Sequence, residues 1–481
     1  MSIRRALGVS AVAQTLSFVF NFINVIVVSR LLTPGEIGIY SVAVSALGIA
    51  HVFREFGVTQ YLVQATAIGK NDFRAAFTLT LLFSWTIAVV LFFAREPLSI
   101  FYEHPGISAV LGLLAINFLL LPFGTPSLAM LRRELRFETL AAVRIANSGI
   151  STAVTIACAL AGESYLSMAW GAIAGQTSNI VILAVIRRGE TFILPTVKGL
   201  RGILRFGSVS SLTSLINQLG ASAPDLILGR TLGFAPVAYF SRAAGLRSMF
   251  LGQLYTLVNG VHFPTFAAQI RAGENAKDLY IRNTMFLVAI TVPAMSLLAV
   301  LADPLIRFFF GPQWESAAPL ATLLCLFSLI TAPYALANLS LVAAGKVSHV
   351  LRIEIIVQSS TIALLLSSIW LPLDKVVPLL VFASIIEAIS YQLALKRTFG
   401  LGVFTLLREL RSGFFLIPFT VTGPLVATQL IPRDDTSLGL FVLLSASGVL
   451  AFFGWIIGIV LLKHPAWSEI SSLASRFKAK A

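Results

Sequence analysis

Apolar residues along this chain come in long blocks that are separated by short polar gaps. A block of about twenty apolar residues is long enough to cross the hydrocarbon of a bilayer as a helix. The pattern therefore predicts an all-α polytopic membrane protein. Its fourteen predicted spans, numbered in chain order, cover residues 7–32, 36–62, 73–94, 106–131, 139–162, 165–186, 206–232, 236–263, 282–302, 316–344, 350–371, 376–395, 410–431 and 437–462.

Composition agrees with a chain whose solvent is mostly lipid. Hydrophobic residues make up 57% of the 481 residues and charged residues only 12%, whereas a soluble protein carries about 25% charged residues. The net charge of +14 could suggest nucleic acid, but nucleic-acid binders cluster Lys and Arg on a polar face. Here the basic residues lie in the gaps between apolar blocks, so we expect no nucleic-acid partner.

The distribution of Lys and Arg predicts which side of the membrane each gap faces. With a cytoplasmic N-terminus, 27 of the 35 Lys and Arg fall on the inner side, six on the outer side and two within span 8. Cytoplasmic loops of membrane proteins carry an excess of positive charge, so both termini are predicted to be cytoplasmic. The six outer residues are Arg30, Arg95, Arg230, Arg307, Lys375 and Arg433.

Residues 27–41 resemble residues 227–241 at an offset of 200. Identical pairs are Arg30 and Arg230, Leu32 and Leu232, and Ser41 and Ser241. Transporters are often built from such repeats, and a repeat of six helices inserts both halves in the same sense. The predicted organisation is an N-lobe at 1–187, a cytoplasmic linker at 188–205, a C-lobe at 206–397, two added helices at 398–462 and a cytoplasmic amphipathic tail at 463–481.

Motifs that would indicate enzyme chemistry are absent from the sequence. It contains no P-loop, no H-E-x-x-H, no Gly-rich dinucleotide fingerprint and no Cys and His set with metal-ligand spacing. The sequence thus predicts no catalytic residue, no metal and no other cofactor.

Polar side chains inside the spans are informative, because at bilayer depth they are costly unless they face protein or water. Span 1 carries Gln14, Ser17, Asn21 and Asn24 on one helix face, and span 7 carries a similar stripe. Each stripe is explained either by a hydrogen-bonded helix contact or by a hydrophilic cavity; its presence in both halves favours the cavity. The span 7 stripe comprises Ser211, Ser214, Gln218, Ser222 and Asp225.

Cationic side chains in spans 2 and 8 form a second candidate feature. Span 2 carries His51 and Arg54, and span 8 carries Arg242 and Arg247. Arg stays protonated at any ordinary pH, so each must face water, a carboxylate or an anionic ligand. The set suits a pyrophosphate or an acidic sugar, and structural pairing with a carboxylate is the open alternative.

Three carboxylates within the spans could take up a coupling proton or cation. They are Asp225 in span 7, Glu354 in span 11 and Glu387 in span 12. Pairing with Arg352 or with amides would explain the two glutamates equally well, and His51 is a further candidate. The sequence therefore leaves the coupling ion open.

Three stretches carry a resemblance to a known family. They are residues 225–243, with Gly-Arg-Thr-Leu-Gly and Ser-Arg-Ala; 310–319, with Phe-Gly-Pro-Gln-Trp; and 343–348, with Ala-Ala-Gly-Lys-Val-Ser. In this order they resemble the polysaccharide transporter branch of the MOP superfamily, the Wzx-like oligosaccharide flippases of the colanic acid exporter type. Ala238 departs from the family pattern, which favours Gly before the Tyr, and we expect this to affect helix packing.

The resemblance implies a two-lobed, MATE-like translocator that works by alternating access. Such a protein moves an undecaprenyl-pyrophosphate-linked oligosaccharide repeat unit across the bacterial inner membrane for O-antigen, exopolysaccharide or capsule synthesis. The implied partners are this substrate, membrane lipids, and the polymerase and export proteins of the pathway. The family motifs do not assign Arg54, Arg242 or Arg247 as ligands of the head group.

Three other functions stay open at the level of sequence. A lipid II flippase and a cation-coupled multidrug exporter belong to the same superfamily, and the exporter is disfavoured because span 1 contains no carboxylate. A scaffold for a polysaccharide assembly complex is disfavoured because it has no need for charges within the membrane.

Overall fold

All regular secondary structure in the described residues is helical. The structure, a computed structural model, describes residues 3–55, 58, 62, 69–187, 193–196, 200–431 and 436–467, with the backbone alone at 3–7, 53–55, 201–214 and 257. Contacts divide the chain into unit 1, Met1–Ala238, and unit 2, Tyr239–Ala481.

Unit 1 contains eight described α-helices and the start of a ninth. They are α1 (Ile3–Leu31), α2 (Pro34–Glu55), α3 (Lys70–Phe101), α4 (Pro105–Leu120), α5 (Thr125–Arg133), α6 (Phe137–Leu160), α7 (Leu166–Ile186), α8 (Leu200–Thr231) and the beginning of α9 (Phe234–Arg271).

Unit 2 contains the rest of α9 and nine further described α-helices. They are α10 (Ala276–Val300), α11 (Ala302–Phe310), α12 (Ala318–Thr331), α13 (Ala337–Ala343), α14 (Val347–Leu366), α15 (Leu373–Phe399), α16 (Val403–Phe414), α17 (Leu416–Leu430) and α18 (Ser437–Leu461).

Twelve helical segments in the described residues are long and apolar enough to cross a membrane. They correspond to predicted spans 1–6 and 9–14, so the prediction of an all-α polytopic membrane protein is confirmed. Predicted spans 7 and 8 are present as α8 and α9, helices of 32 and 38 residues. Both helices carry the polar and charged residues discussed above. Their crossing of the membrane stays a prediction.

Three predicted spans are interrupted rather than continuous: span 13 at Phe415, between α16 and α17, and two others at 3-10 turns. A 3-10 turn at Leu121–Phe123 separates α4 from α5, and another at Ala332–Tyr334 separates α12 from α13. Each turn contains a proline, Pro122 or Pro333, which lacks a backbone N–H and crowds the preceding helical turn. The prediction of single helices at 106–131, 316–344 and 410–431 was wrong at these three points.

Local sequence signals account for several helix ends. Thr33 precedes α2, where its hydroxyl accepts a bond from the Glu36 N–H at 3.4 Å while its own N–H donates to the Glu36 carboxylate at 2.7 Å, which is a capping box. Asn275 caps α10 by accepting from the N–H of Lys277 at 3.0 Å. Gly400 ends α15 with φ +67°, a conformation that glycine adopts without strain.

Large apolar side chains lie on the surface of both units. Phe93, Trp370 and Phe404 are 74%, 79% and 88% exposed. In water such exposure would be unfavourable, but hydrocarbon is as apolar as the side chains themselves. The surface is therefore that of a protein in contact with lipid.

Helices α6 and α7 approach closely at glycines. A Cβ on Gly171 would overlap the hydroxyl of Thr155 and lie 2.8 Å from the carbonyl oxygen of Ser151. Near Gly175, the Asn147 side chain donates to the glycine carbonyl at 2.9 Å. Small residues that admit a neighbouring backbone are a common packing device of membrane helices.

Gly171→Ala should lower the melting temperature of the purified protein, because the added methyl group forces α6 and α7 apart at a cost of about 1–3 kcal/mol. Gly252→Ala is the matched control: Gly252 lies in α9 with no atom within 4 Å of its added Cβ. It should leave the melting temperature unchanged or raise it, since Ala favours a helix over Gly by about 1 kcal/mol. Equal melting temperatures for the two variants would contradict the close contact.

Candidate functional site

The polar stripe predicted on α1 contains side chains of two kinds: some make hydrogen bonds to protein, and others are buried without a hydrogen-bond partner. Gln14 accepts a hydrogen bond from the Arg144 guanidinium of α6, and the Asn21 amide donates to the carbonyl of Ser17 at 2.8 Å. The buried Oγ of Ser17 and Oδ1 of Asn24 have no hydrogen-bond partner among the described residues. Such groups cost free energy when left unpaired, so these two are the positions of the stripe where a ligand or water would be most favourable.

The stripe of α8 faces α2. Gln218 donates from Nε2 to the hydroxyl of Ser222 at 3.0 Å, and Gly48 of α2 leaves the space that the Gln218 amide occupies. Ser45 of α2 donates to Oδ2 of Asp225 at 2.6 Å. This part of the stripe therefore forms a hydrogen-bonded helix contact. The side chains of Ser211 and Ser214 lie outside the described residues.

Tyr102, which directly follows α3, also contributes to this region, although no sequence pattern singles it out. Its hydroxyl donates to the carbonyl of Leu226 at 3.2 Å, one residue after Asp225. Burial and the nearby Asp225 carboxylate raise the pKa of Tyr102 to about 12. The phenol therefore stays protonated and keeps its donor role over the physiological range.

His51 packs against an aromatic ring in unit 1. Its imidazole lies 4.7 Å from the ring centroid of Phe118 on α4, tilted by 43°. Arg54 and Glu55 belong to α2, but their side chains lie outside the described residues. That His51 and Arg54 contact an anionic ligand together therefore stays a prediction.

Arg242 lies against aromatic rings in unit 2. Its guanidinium carbon is 5.3 Å from the ring centroid of Trp314 and 5.8 Å from that of Phe310. Both rings are buried, and Tyr239 meets Trp314 edge-on at 6.0 Å. These distances correspond to cation–π contacts. They link two family-like sequence stretches, 225–243 and 310–319, that are distant in the chain.

Arg247 lies one and a half turns further along α9 and has a different environment. Its Nε is buried and has no hydrogen-bond partner in the described part of the chain. Electrostatic interactions link the guanidinium to the Glu387 carboxylate of α15 and to the Tyr255 hydroxyl. Arg247 is thus a cation within electrostatic range of a carboxylate, and its Nε donor is available to an anion.

Glu354 of α14 is held by neutral hydrogen-bond donors. Its Oε1 accepts from the hydroxyl of Tyr391 at 2.9 Å and from the amide of Asn338 at 3.2 Å. Its charge also acts on Glu387. Of the two partners proposed from sequence, the amide is observed, whereas Arg352 is exposed. In unit 2, Glu387 thus experiences the charges of both Arg247 and Glu354.

Unit 2 contains a second polar cluster, which the sequence pattern did not predict. His262 of α9 is buried, with Nε2 at 2.9 Å from the hydroxyl of Ser340 and Nδ1 at 3.3 Å from the amide of Asn283. His262 and Asn283 line an apolar cavity of about 370 Å³ between α9 and α10. A lone histidine in an apolar span was the available signal. Across the described residues, no three His, Cys, Asp or Glu side chains come together as metal ligands.

Twelve candidate spans with charged and hydrogen-bonded side chains among them define a polytopic membrane protein. The family model described as "Polysaccharide biosynthesis protein" matches residues 27–319, more than half of the chain. The chain belongs to this family. Its members are transporters of the Wzx-like flippase type and not enzymes, so the resemblance stated from sequence and the expectation of a non-enzyme are both confirmed.

Curated relatives share low sequence identity with the chain. The lipopolysaccharide biosynthesis protein WzxC of Escherichia coli is 22% identical over 330 residues, 67% of this chain and 66% of that protein. The succinoglycan biosynthesis transport protein ExoT of Rhizobium meliloti is 23% identical over 332 residues, 69% of this chain and 67% of ExoT. The match to WzxC thus spans slightly less than two thirds of that protein's length.

Two solved structures share the fold. The lipid II flippase MurJ in an inward closed conformation superposes with a TM-score of 0.73 at 14% identity, covering 94% of this chain and 99% of MurJ. An inward-facing multidrug resistance transporter of the MATE family gives a TM-score of 0.67 at 15% identity, covering 81% of this chain and 98% of the transporter. The predicted MATE-like fold is confirmed at this level.

Proposed function

We propose that this protein is a flippase that moves an undecaprenyl-pyrophosphate-linked oligosaccharide repeat unit across the bacterial inner membrane. The observation that carries the proposal is Arg247, a half-buried cation with an available donor inside a membrane helix, in a chain of the polysaccharide biosynthesis family. A charge-assisted hydrogen bond from Arg to a phosphate oxygen is among the stronger polar contacts a protein can make.

The proposed mechanism is alternating access in a protein of fourteen spans, with two six-helix lobes, two added helices and both termini in the cytoplasm. The helix ends support the repeat: α1 ends at Leu31 and α2 begins at Pro34, while α8 ends at Thr231 and α9 begins at Phe234. The proline interruptions of spans 4 and 10, six spans apart, support it as well.

The proposed roles of the site residues follow their chemistry. His51, Arg54, Arg242 and Arg247 would contact the anionic head group, and amides would contact the sugar. Asp225, Glu354 and Glu387 are the proposed sites of a coupling proton or cation. The amides are Gln14, Asn21, Asn24 and Gln218. Polymerase and export proteins of the same pathway are proposed partners.

Deletion of the gene in its native host tests the proposal. We expect surface polysaccharide to be lost and undecaprenyl-pyrophosphate-linked repeat units to accumulate in the inner membrane, as measured by mass spectrometry of extracted lipids. Expression of the intact chain should restore polysaccharide. Cell lysis on depletion would instead indicate a lipid II flippase, and drug hypersensitivity with normal polysaccharide would indicate a multidrug exporter.

A further inference from the structure

Helices α3 and α4 form a lipid-exposed apolar groove in unit 1. The groove has a volume of about 530 Å³. Most of its lining is aliphatic or aromatic, and Phe93, Val89 and Ile116 are 74%, 53% and 43% exposed. It extends along α4 from Ala109 to Leu119, which corresponds to about 15 Å of helix. A groove of this length and composition suits an acyl chain.

Arg95 lies at one end of the groove. Its guanidinium carbon is 4.2 Å from the ring centroid of Phe92, and its Nε is 3.6 Å from Oε1 of Glu96. No described residue accepts a hydrogen bond from its Nη1 or Nη2. Gly112 of α4 leaves room for the guanidinium, since a Cβ there would lie 3.2 Å from Nη1. Two N–H donor groups are thus available at the end of an apolar groove.

Glu96 places a carboxylate beside this cation. It accepts a hydrogen bond from the Ser108 hydroxyl at 2.7 Å, and its side chain is 64% exposed. Arg95 lies six residues before α3 ends at Phe101, about 9 Å along the helix, and Glu96 is one residue nearer that end. The pair therefore lies near the interface between hydrocarbon and head groups, and its net charge is zero.

We propose that this groove binds phosphatidylethanolamine, with an acyl chain along α3 and α4, the phosphate on Arg95 and the ammonium group on Glu96. A phospholipid phosphate is anchored at the glycerol, deeper than the terminal ammonium, which matches the order of Arg95 and Glu96 along the helix. An anionic phospholipid could place its phosphate on Arg95 but carries no ammonium group to neutralise the Glu96 carboxylate. Phosphatidylcholine would bring a quaternary ammonium that cannot donate a hydrogen bond.

Native mass spectrometry of the purified full chain tests this assignment. The chain is mixed with equal amounts of phosphatidylethanolamine, phosphatidylglycerol and phosphatidylcholine with identical acyl chains. We expect phosphatidylethanolamine to be the preferred bound lipid. Arg95→Gln should lower its occupancy about tenfold through loss of charged hydrogen bonds, and Glu96→Gln should lower its preference over phosphatidylglycerol about threefold.

Two further variants separate binding in the groove from general effects of charge. Gly112→Leu keeps both charges but fills the groove, and it should lower phosphatidylethanolamine occupancy as Arg95→Gln does. Arg230→Gln is the matched control, because Arg230 also stacks on a phenylalanine, Phe101 at 5.4 Å, and pairs with a glutamate, Glu103 at 3.1 Å, but does not line the groove. It should leave occupancy unchanged.

Equal binding of the three lipids, preference for phosphatidylglycerol, or an equal loss in Arg230→Gln would overturn the assignment. The measurement does not involve transport, so its outcome is independent of the proposed flippase activity. The melting temperature in detergent distinguishes a variant that has lost only lipid binding from one that is misfolded, because the former retains the wild-type value.

Discussion

Arg247→Ala should reduce surface polysaccharide at least tenfold while the protein remains in the membrane. The substitution removes a cation whose Nε is buried without a hydrogen-bond partner in the described residues. If this group binds the pyrophosphate, its loss removes a charged hydrogen bond worth about 1.5–3 kcal/mol, which is about tenfold or more in affinity. Polysaccharide is measured on whole cells, and protein is measured by immunoblotting of membranes.

Glu387→Gln distinguishes two possible roles of Arg247, binding of the substrate and neutralisation of the Glu387 carboxylate. Arg247 lies in the field of Glu387, so removal of Arg247 alone leaves a half-buried carboxylate without this positive charge nearby. The double variant Arg247→Ala with Glu387→Gln should also remain in the membrane, and it should not recover the polysaccharide. Restored polysaccharide in the double variant would show that Arg247 only neutralises Glu387.

Two single variants complete the Arg247 experiment. Arg408→Ala is the control, because Arg408 lies on α16 with 69% of its side chain exposed, and it should have no effect on polysaccharide. Arg54→Ala should resemble Arg247→Ala if span 2 contributes to the same head-group site. Unchanged polysaccharide in both Arg54→Ala and Arg247→Ala would refute the proposed cationic site.

Trp314→Ala should cause a large loss of stability. Trp314 is fully buried and contacts the rings of Tyr239 and Phe310 and the guanidinium of Arg242. Replacing a buried aromatic residue with alanine typically costs about 3–5 kcal/mol, and here the cation–π contact is lost as well. The expected result is a sharply lower melting temperature in detergent and less protein in the membrane.

Trp314→Phe and Trp370→Ala are the comparisons for this effect. The phenylalanine retains a ring against Arg242 and should recover much of the lost stability. Trp370 is 79% exposed, so its removal should change the melting temperature little. If Trp370→Ala destabilised the protein as much as Trp314→Ala, burial among the aromatic rings would not be the cause.

The membrane helices could be predicted because their length and apolar composition are local properties of the sequence. The interruptions were harder to predict, since proline is also accommodated inside continuous helices. Pro97, Pro224 and Pro293 lie within α3, α8 and α10, whereas Pro122 and Pro333 lie in 3-10 turns. Neighbouring helices and side chains decide whether a freed carbonyl finds a partner, and the sequence pattern does not contain that information.

The candidate site was predictable in its residue types but not in its contacts. Helical periodicity placed Gln218 and Asp225 on one face, yet the partner of Asp225, Ser45, is 180 residues away in the chain. Likewise, Arg242 stood out as a charge within an apolar span, but its contact with Trp314 depends on how α9 packs in unit 2. His262 was overlooked because one histidine has no periodic partner.

The proline interruptions also have a mechanical consequence. A continuous α-helix resists bending along its whole length, whereas a helix with a missing hydrogen bond bends most easily at that point. Helices α4 and α5 are therefore two rigid segments joined by a hinge at Pro122, and α12 and α13 are joined in the same way at Pro333. Such a hinge lets the short helix, α5 or α13, change its tilt while the longer helix, α4 or α12, stays packed against its neighbours.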